Sequence, residues 1–179
     1  PEVFKDDIKL DKHKIFTVVQ YLQDINLSKT DLDAKGLAFQ SFMGGFFRGD
    51  FGQFFTPNTI VDFIVKTIGI RKDYKVLDTS CGSGGFLLHA LKAIRDEANE
   101  IYGDDRGTSW FNYWHDFAEK NLFGIEINEQ ISRVAKMNMI IHDDGHTNII
   151  TNDGLKSNRS IEIENRNLSF IDNSFDLIM

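Results

Sequence analysis

The sequence predicts an α/β protein with a partial doubly wound, mostly parallel sheet and an N-terminal helical segment. Three observations predict this fold class. From residue 75 onward, short β-type runs alternate with segments of helical periodicity, as in parallel sheets with crossover helices. A glycine-rich turn over residues 82–85 separates the first of these runs from the helix that follows. Before residue 50, apolar residues recur at helical spacing instead.

The first fifty residues are predicted to form a helical lead-in. Apolar residues recur at helical spacing from Ile15 to Ile25, and a second apolar-rich stretch runs from 32 to 47. Glycines near residue 50 break this pattern, and Pro57 fits the first turn of the next helix. We therefore predict a lead-in over residues 1–50 and a second domain over residues 51–179.

The predicted sheet is built from residue 75 onward. Its strands are predicted at 75–78, 122–126, 148–150 and 175–179, and its helices at 84–99 and 129–141. Between residues 100 and 120 lies an insert with six aromatic residues, which is longer than most connections in α/β proteins. We expect these rings to pack against the protein rather than to stack on nucleic-acid bases.

The composition excludes several classes of protein. The chain has 179 residues, a formal net charge of −7 and a single cysteine. One cysteine excludes an internal disulfide and a multi-cysteine zinc site, and the negative charge counts against autonomous DNA binding. No apolar stretch is long enough to span a bilayer, and the first residues lack the pattern of a signal peptide. We expect no membrane partner and a cytoplasmic location.

Two features that suggest a reactive centre have plainer explanations. His142 and His146 stand four residues apart, but the Asp143–Gly145 segment between them has the composition of a turn, so we predict no metal site. Cys81 is expected to be a small buried thiol rather than a nucleophile.

The segment Asp78–Leu87 carries the strongest functional signal. A β-type run ends at Asp78, glycines follow at 82, 84 and 85, and a helix begins, which presents backbone N–H groups to a polar ligand. A dinucleotide fingerprint needs a glycine where Leu87 stands and an acid roughly 20 residues further on, so nicotinamide binding is disfavoured. An acid before the glycines suits a cationic amine, such as the methionine part of S-adenosylmethionine. The alternative is an ordinary glycine turn.

Two further predicted strands also end in acids. Glu126 would accept both ribose hydroxyls of the same ligand, with Ile127 against the adenine ring. Asp153 would accept the adenine amino protons, with Leu155 covering the ring. Taken singly, Glu126 is also explained as a solvated acid at the end of a strand, which is the usual state of a lone glutamate, and Asn152–Gly154 as a common turn. Three consecutive strands that end in acids at one edge of a sheet together indicate one ligand.

Four segments resemble a known family in sequence and in order: Gly52–Pro57, Asp78–Leu87, Asn121–Asn128 and Val134–His142. The chain resembles the methylation subunit of type I restriction-modification systems, a family of DNA adenine methyltransferases. The resemblance runs from about residue 30 to the last residue. Its most specific part is the first segment, because other methyltransferases rarely carry Gln-Phe-Phe-Thr-Pro upstream of the glycine loop.

The resemblance implies a Rossmann-like methyltransferase fold with S-adenosylmethionine as the cofactor. It implies that five residues close over the methionine end of the cofactor, namely Gln53, Phe54, Phe55, Thr56 and Pro57. The resemblance also implies that the methionine moiety is bound by Asp78 and by four loop residues, Gly82, Ser83, Gly84 and Gly85. Glu126 is assigned to the ribose and Asp153 to the adenine amino group.

The family's catalytic motif, Asn/Asp-Pro-Pro-Phe/Tyr, follows a strand similar to 175–178, where this sequence has Met179 as its last residue. We therefore expect no catalytic residue in the chain, which is predicted to be the N-terminal portion of the methyltransferase domain and inactive alone. The resemblance implies a specificity subunit and a restriction subunit as partners, with DNA contacted through the assembled complex. Two alternatives remain open: a methyltransferase acting on RNA, protein or a small molecule, and a non-catalytic assembly module.

Overall fold

A four-stranded parallel sheet forms the centre of the fold. The computed structural model describes residues 7–25, 41, 56–142, 148–156, 161–163, 166–168, 170 and 173–179. The strands of the sheet are β1 (Val76–Asp78), β2 (Leu122–Glu126), β3 (Ile149–Thr151) and β6 (Leu177–Ile178). Their order is β3-β2-β1-β6, and every pair of neighbours is parallel. The predicted α/β fold class and its parallel sheet are therefore confirmed.

Helices alternate with these strands along the chain. They are α1 (Lys12–Leu22), α2 (Asn58–Ile68), α3 (Gly85–Tyr102), α4 (Thr108–Asn121) and α5 (Glu129–Ile141). A separate antiparallel pair, β4 (Ile161–Ile163) and β5 (Arg166–Leu168), lies between β3 and β6 in the chain. This pair was not predicted from the sequence.

Both faces of the sheet carry apolar side chains, because alternate side chains of a strand point in opposite directions. On one face, Val76, Leu122 and Ile149 pack with apolar residues from α2, α3, α4 and α5 in one cluster. On the other face, Leu77, Phe123, Ile125 and Ile150 form a second cluster that Phe170 and Phe175 join. All five residues of β2 are buried, which is the usual state of an interior strand in a parallel sheet.

The aromatic insert between residues 100 and 120 is mostly the helix α4 rather than an irregular connection. Trp114 and Phe117 are buried in the core, which agrees with the expectation that these rings pack against the protein. The indole N–H of Trp110 donates to Asn99 of α3 at 2.9 Å, and the hydroxyl of Tyr113 donates to Glu97 at 2.8 Å. The insert is therefore joined to α3 by two side-chain hydrogen bonds.

The lead-in contains the predicted helix as α1, with Asp11 as its N-cap, where the carboxylate accepts the backbone N–H of Lys14 at 3.0 Å. None of its residues is buried within the part of the chain that the structure describes. The second apolar stretch, 32–47, lies outside the described residues apart from position 41. The proposed boundary at residue 50 lies outside them as well, so the two-domain division stays a prediction.

No helix among the described residues combines the length and the apolar character that crossing a membrane requires.

Candidate functional site

The carboxyl edge of the sheet is where Asp78, Glu126 and the loop of Asp153 lie together. The chain runs from β1 through β2 to β3 on one side, whereas β6 pairs with β1 on the other side, so the strand order reverses between β1 and β6. In open α/β sheets ligands bind in the crevice at such a reversal. Asp78 ends β1 there, and the backbone N–H of the next residue, Thr79, donates to the carbonyl of Met179 at 3.3 Å.

Asp78 is a buried carboxyl group at this reversal, with an exposed fraction of 4%. Its Oδ1 accepts the backbone N–H of Ser80 at 3.1 Å. The pKa of Asp78 is raised to about 6, mainly by burial; the hydrogen bond from Ser80 opposes the rise, and the negative charge of Glu126 adds a smaller part to it. The side chain is therefore a buried acid that a cationic ligand would stabilise in its charged form.

The loop after Asp78 has the backbone geometry that the sequence predicts for a ligand loop. Gly82 and Gly84 have φ angles of +54° and +87°, a region that other residues seldom adopt. Gly84 is the N-cap of α3 and Gly85 is its first residue, so the first N–H groups of this helix, which have no partner within the helix, lie at the sheet edge. Ser83 is partly buried between the two glycines.

Asp78 pairs with Gly124 of β2, and Glu126 is the last residue of β2. Glu126 therefore lies beside Asp78. Its exposed fraction is 6%, so it is not the solvated acid of the alternative explanation. One carboxylate oxygen accepts the N–H of Gly82 at 3.1 Å, and the other accepts the N–H of Asn128 at 2.8 Å. An ionised carboxylate has about four acceptor positions, so this one can still receive two more donors.

The loop after β3 crosses the end of β2 and reaches the glycine loop. The backbone N–H of Asn152 donates to the carbonyl of Glu126 at 3.1 Å, and Asp153 accepts the N–H of Leu155 at 3.0 Å. A Cβ atom on Gly154 would collide with the carbonyl oxygen of Thr79, so this position needs glycine. The loop after β3 is thus in direct contact with the glycine loop after β1.

Of the remaining predicted site residues, some are exposed to solvent and the others lie outside the described residues. Ile127 and Leu155 are exposed, at 69% and 97%, beside the two acids that precede them. Thr56 and Pro57 are exposed, and Pro57 is the N-cap of α2 rather than a residue of its first turn. Gln53, Phe54 and Phe55 lie outside the described residues.

Cys81 and His142 are both buried, and no group of three or more potential metal ligands was found among the described residues. Burial, followed by the negative charges of Asp78 and Glu126, raises the pKa of the Cys81 thiol well above its usual range. The thiol therefore stays protonated at neutral pH. His146 lies outside the described residues.

Asn138, which was not among the predicted site residues, is a buried residue of α5 whose Nδ2 donates to the carbonyl of Ser83 at 2.9 Å. The signal was present in the helical periodicity. Asn138 falls on the buried face of α5 among apolar residues, and a polar side chain there needs a partner.

These features define a class: a doubly wound α/β protein in which two buried acids and a glycine loop lie together at the carboxyl edge of the parallel sheet. The model of the N-6 DNA methylase family matches residues 31–179, and the chain belongs to this family. The resemblance to type I methylation subunits is confirmed by similarity to the methylase subunit of the type I restriction enzyme MjaVII from Methanocaldococcus jannaschii. The identity is 31% over 150 residues, which cover 81% of this chain and 23% of that protein.

A second relative supports the same placement, and a solved structure shares the fold. The type II restriction enzyme and methyltransferase RM.BcgI from Heyndrickxia coagulans is 31% identical over 152 residues, covering 84% of this chain and 22% of that protein. A solved modification subunit attributed to a type I restriction enzyme of Vibrio vulnificus YJ016 shares the fold, with a TM-score of 0.62 at 22% identity over 86% of this chain and 31% of its own. The chain thus spans less than a quarter of the length of the two curated relatives.

Proposed function

We propose that this chain forms the S-adenosylmethionine-binding part of a DNA adenine-N6 methyltransferase subunit of a restriction-modification system. One observation carries the proposal: two buried acids, Asp78 and Glu126, end adjacent strands beside a loop with two glycines in the left-handed region. Membership of the N-6 DNA methylase family supports the choice of methyl donor and of reaction.

The charge of the crevice fits the methionine end of this cofactor. Asp78 is buried and its pKa is raised, so a bound ammonium group would replace the water that the carboxylate has lost. The N-terminus of α3 offers N–H groups to the methionine carboxylate. A zwitterionic amino acid group therefore finds a partner for each of its two charges.

The other half of the crevice fits an adenosine group. Glu126 has acceptor positions left for two ribose hydroxyls after binding its two backbone N–H groups. Asp153 follows the third strand, where it would accept the adenine amino protons, and the exposed side chains of Ile127 and Leu155 are apolar surfaces for the two faces of the ring. The residues Gln53 to Pro57 keep the role that the family resemblance gives them, closure over the methionine end.

The cofactor supplies an electrophilic methyl group on a sulfonium, and the residues of this chain orient it. Binding of both ends of the cofactor fixes the direction in which the methyl group faces, which lowers the entropic part of the barrier. The receiving nitrogen would belong to an adenine turned out of the duplex. The family's catalytic motif, Asn/Asp-Pro-Pro-Phe/Tyr, is not among these 179 residues, whose prolines are Pro1 and Pro57. A specificity subunit and a restriction subunit are the proposed partners.

Calorimetric titration of the purified chain with S-adenosylmethionine tests the cofactor assignment. We expect saturable heat from the wild type, whereas a non-catalytic assembly module would give none, and that result would refute the proposal. Labelled methyl groups should not be transferred to duplex DNA by these residues alone. Transfer to RNA, protein or a small molecule instead of DNA would favour the alternative class of methyltransferase.

The role of Glu126 needs a separate test, because its carboxylate also holds Gly82. Competition with adenosine and 2′-deoxyadenosine isolates the ribose contact. We expect the wild type to prefer adenosine and Glu126→Gln to lose most of that preference. Glu129→Gln is the matched control, since Glu129 is an exposed acid three residues away that pairs with Arg133 at 2.9 Å. An unchanged preference in Glu126→Gln would contradict the ribose assignment.

A further inference from the structure

We propose that Asn138 is a positioning residue that holds the glycine loop in its ligand-binding geometry. The inference rests on the proposed function, because the ligand whose binding it controls is S-adenosylmethionine. Asn138 lies in α5 and not at any of the three strand ends that carry the acids. It contacts the loop through the carbonyl oxygen of Ser83.

The glycine loop is held from two sides by one continuous unit, β2 followed by α5. From the strand, Glu126 accepts the N–H of Gly82 at 3.1 Å. From the helix, the amide of Asn138 donates to the carbonyl of Ser83 at 2.9 Å. One bond restrains an N–H and the other restrains the C=O of the next residue. Together they set the orientation of the peptide planes that lead to Gly84 and to the first N–H groups of α3.

Only the nitrogen of the Asn138 amide has a hydrogen-bond partner among the described residues. Its Oδ1 is buried and has no hydrogen-bond partner among the described residues, and a buried oxygen without a partner lowers stability. Turning the amide over would not help, since Oδ1 would then face the Ser83 carbonyl, oxygen against oxygen. Leucine has a similar size and would avoid this cost in a face of α5 that is otherwise mostly apolar. The bond to the loop is what leucine cannot make.

The backbone that carries Asn138 is itself anchored. The Nδ1 of His142 lies 2.7 Å from the carbonyl oxygen of Asn138. The carbonyl of His142 in turn accepts a hydrogen bond from the guanidinium of Arg95 at 2.6 Å. That guanidinium lies over the ring of Trp114, 3.8 Å from the ring centroid. All of these side chains are buried. The end of α5 is thus fixed to α3 and α4, and the amide of Asn138 reaches the loop from a rigid base.

The test compares Asn138→Leu with Asn148→Leu. Asn148 is the matched control, because it is also a buried asparagine, but it donates to three carbonyls at the amino edge of the sheet, those of Ala118, Glu119 and Leu122. We expect Asn138→Leu to bind S-adenosylmethionine about tenfold more weakly, the size of effect that follows from losing one hydrogen bond, with little change in the urea midpoint. Asn148→Leu should lower the midpoint and leave the affinity of the folded fraction unchanged.

A second measurement does not depend on the ligand. In the ligand-free chain, amide hydrogen exchange over residues 79–87 should be faster in Asn138→Leu than in the wild type and unchanged in Asn148→Leu. Asn138→Met is the second variant, since methionine has an unbranched side chain with no N–H or O–H to donate to the Ser83 carbonyl, and it should show the same two effects.

The outcomes separate the two proposals. Absence of saturable binding in the wild type would refute the proposed function, while exchange over the loop would still report on Asn138. Wild-type binding with equal affinity in both Asn138 variants, or loop exchange that matches the wild type, would overturn the positioning role. A parallel loss of affinity and midpoint in Asn138→Leu and Asn148→Leu would also overturn it, because it would show a general structural role.

Discussion

Replacement of Asp78 by asparagine should make the ligand-free chain more stable at neutral and alkaline pH. The folded chain raises the pKa of this carboxyl from an ordinary value of 3.8 to about 6, mainly by burying it. An acid whose pKa is higher in the folded state favours folding most when it is protonated, and it loses that contribution as the pH rises through the folded pKa. Ionising Asp78 inside the protein therefore costs roughly 3 kcal/mol above pH 7. Asparagine keeps an oxygen for the N–H of Ser80 and carries no charge.

The assay is urea unfolding of the wild type and Asp78→Asn across the pH range. The difference in unfolding free energy should be under about 1 kcal/mol at pH 4 and should grow to roughly 3 kcal/mol at pH 8 in favour of the variant. Asp104→Asn, an exposed position in the turn after α3, controls for the loss of one negative charge. A difference that does not change with pH, or a variant less stable than the wild type at pH 8, would refute the reasoning. The same variant should bind S-adenosylmethionine more weakly, so stability and function would change in opposite directions.

Three further predictions follow from the same contacts. Gly124→Ala should lower the free energy of unfolding by about 1–3 kcal/mol in urea titrations, because its Cβ would lie 2.7 Å from Cδ1 of Leu87. Gly154→Ala should weaken cofactor binding in calorimetry with a smaller change in the urea midpoint, because the added methyl group displaces the loop after β3 from Thr79. Affinity for S-adenosylmethionine should rise roughly tenfold from pH 5 to pH 7.5 as Asp78 ionises, and a flat profile would contradict the assignment of the ammonium group to this acid.

The strands, the helices beside them and the three acids could be predicted because each leaves a local pattern. A parallel sheet places the carboxyl ends of its strands at one edge, so three acids that follow three strands must lie near one another. The structure brings Asp78 and Glu126 together as expected and places the loop of Asp153 over the end of β2. Their roles toward a cofactor stay predictions until a ligand is measured.

The helix α4 could not be predicted from local signals. Its N-cap is Gly107, which has no side chain to cap the helix, and its sequence is rich in aromatic residues, which are only moderate helix formers. The helix is stabilised instead by tertiary packing, since Trp114 and Phe117 are buried against the core. Such packing depends on residues that are distant in the sequence.

The requirement for glycine at positions 124 and 154 was hidden for the same reason. At Gly154 the neighbour is the carbonyl of Thr79, and at Gly124 the neighbours include Leu87 and Cys81. These contacts exist only after the sheet has formed. The hydrogen-bond partner of Asn138 could not be predicted from the sequence either, because Ser83 lies 55 residues earlier in the chain.

The double attachment of Glu126 links the two halves of the proposed ligand. The carboxylate that would receive the ribose also fixes Gly82, and Gly82 belongs to the loop that would receive the methionine. An adenosine group that orders this carboxylate therefore reduces the entropy that the methionine group must still lose, and the reverse holds equally by linkage. Adenosine and methionine supplied as separate molecules should each bind more tightly when the other is present, and this cooperativity should vanish when the carboxylate is removed.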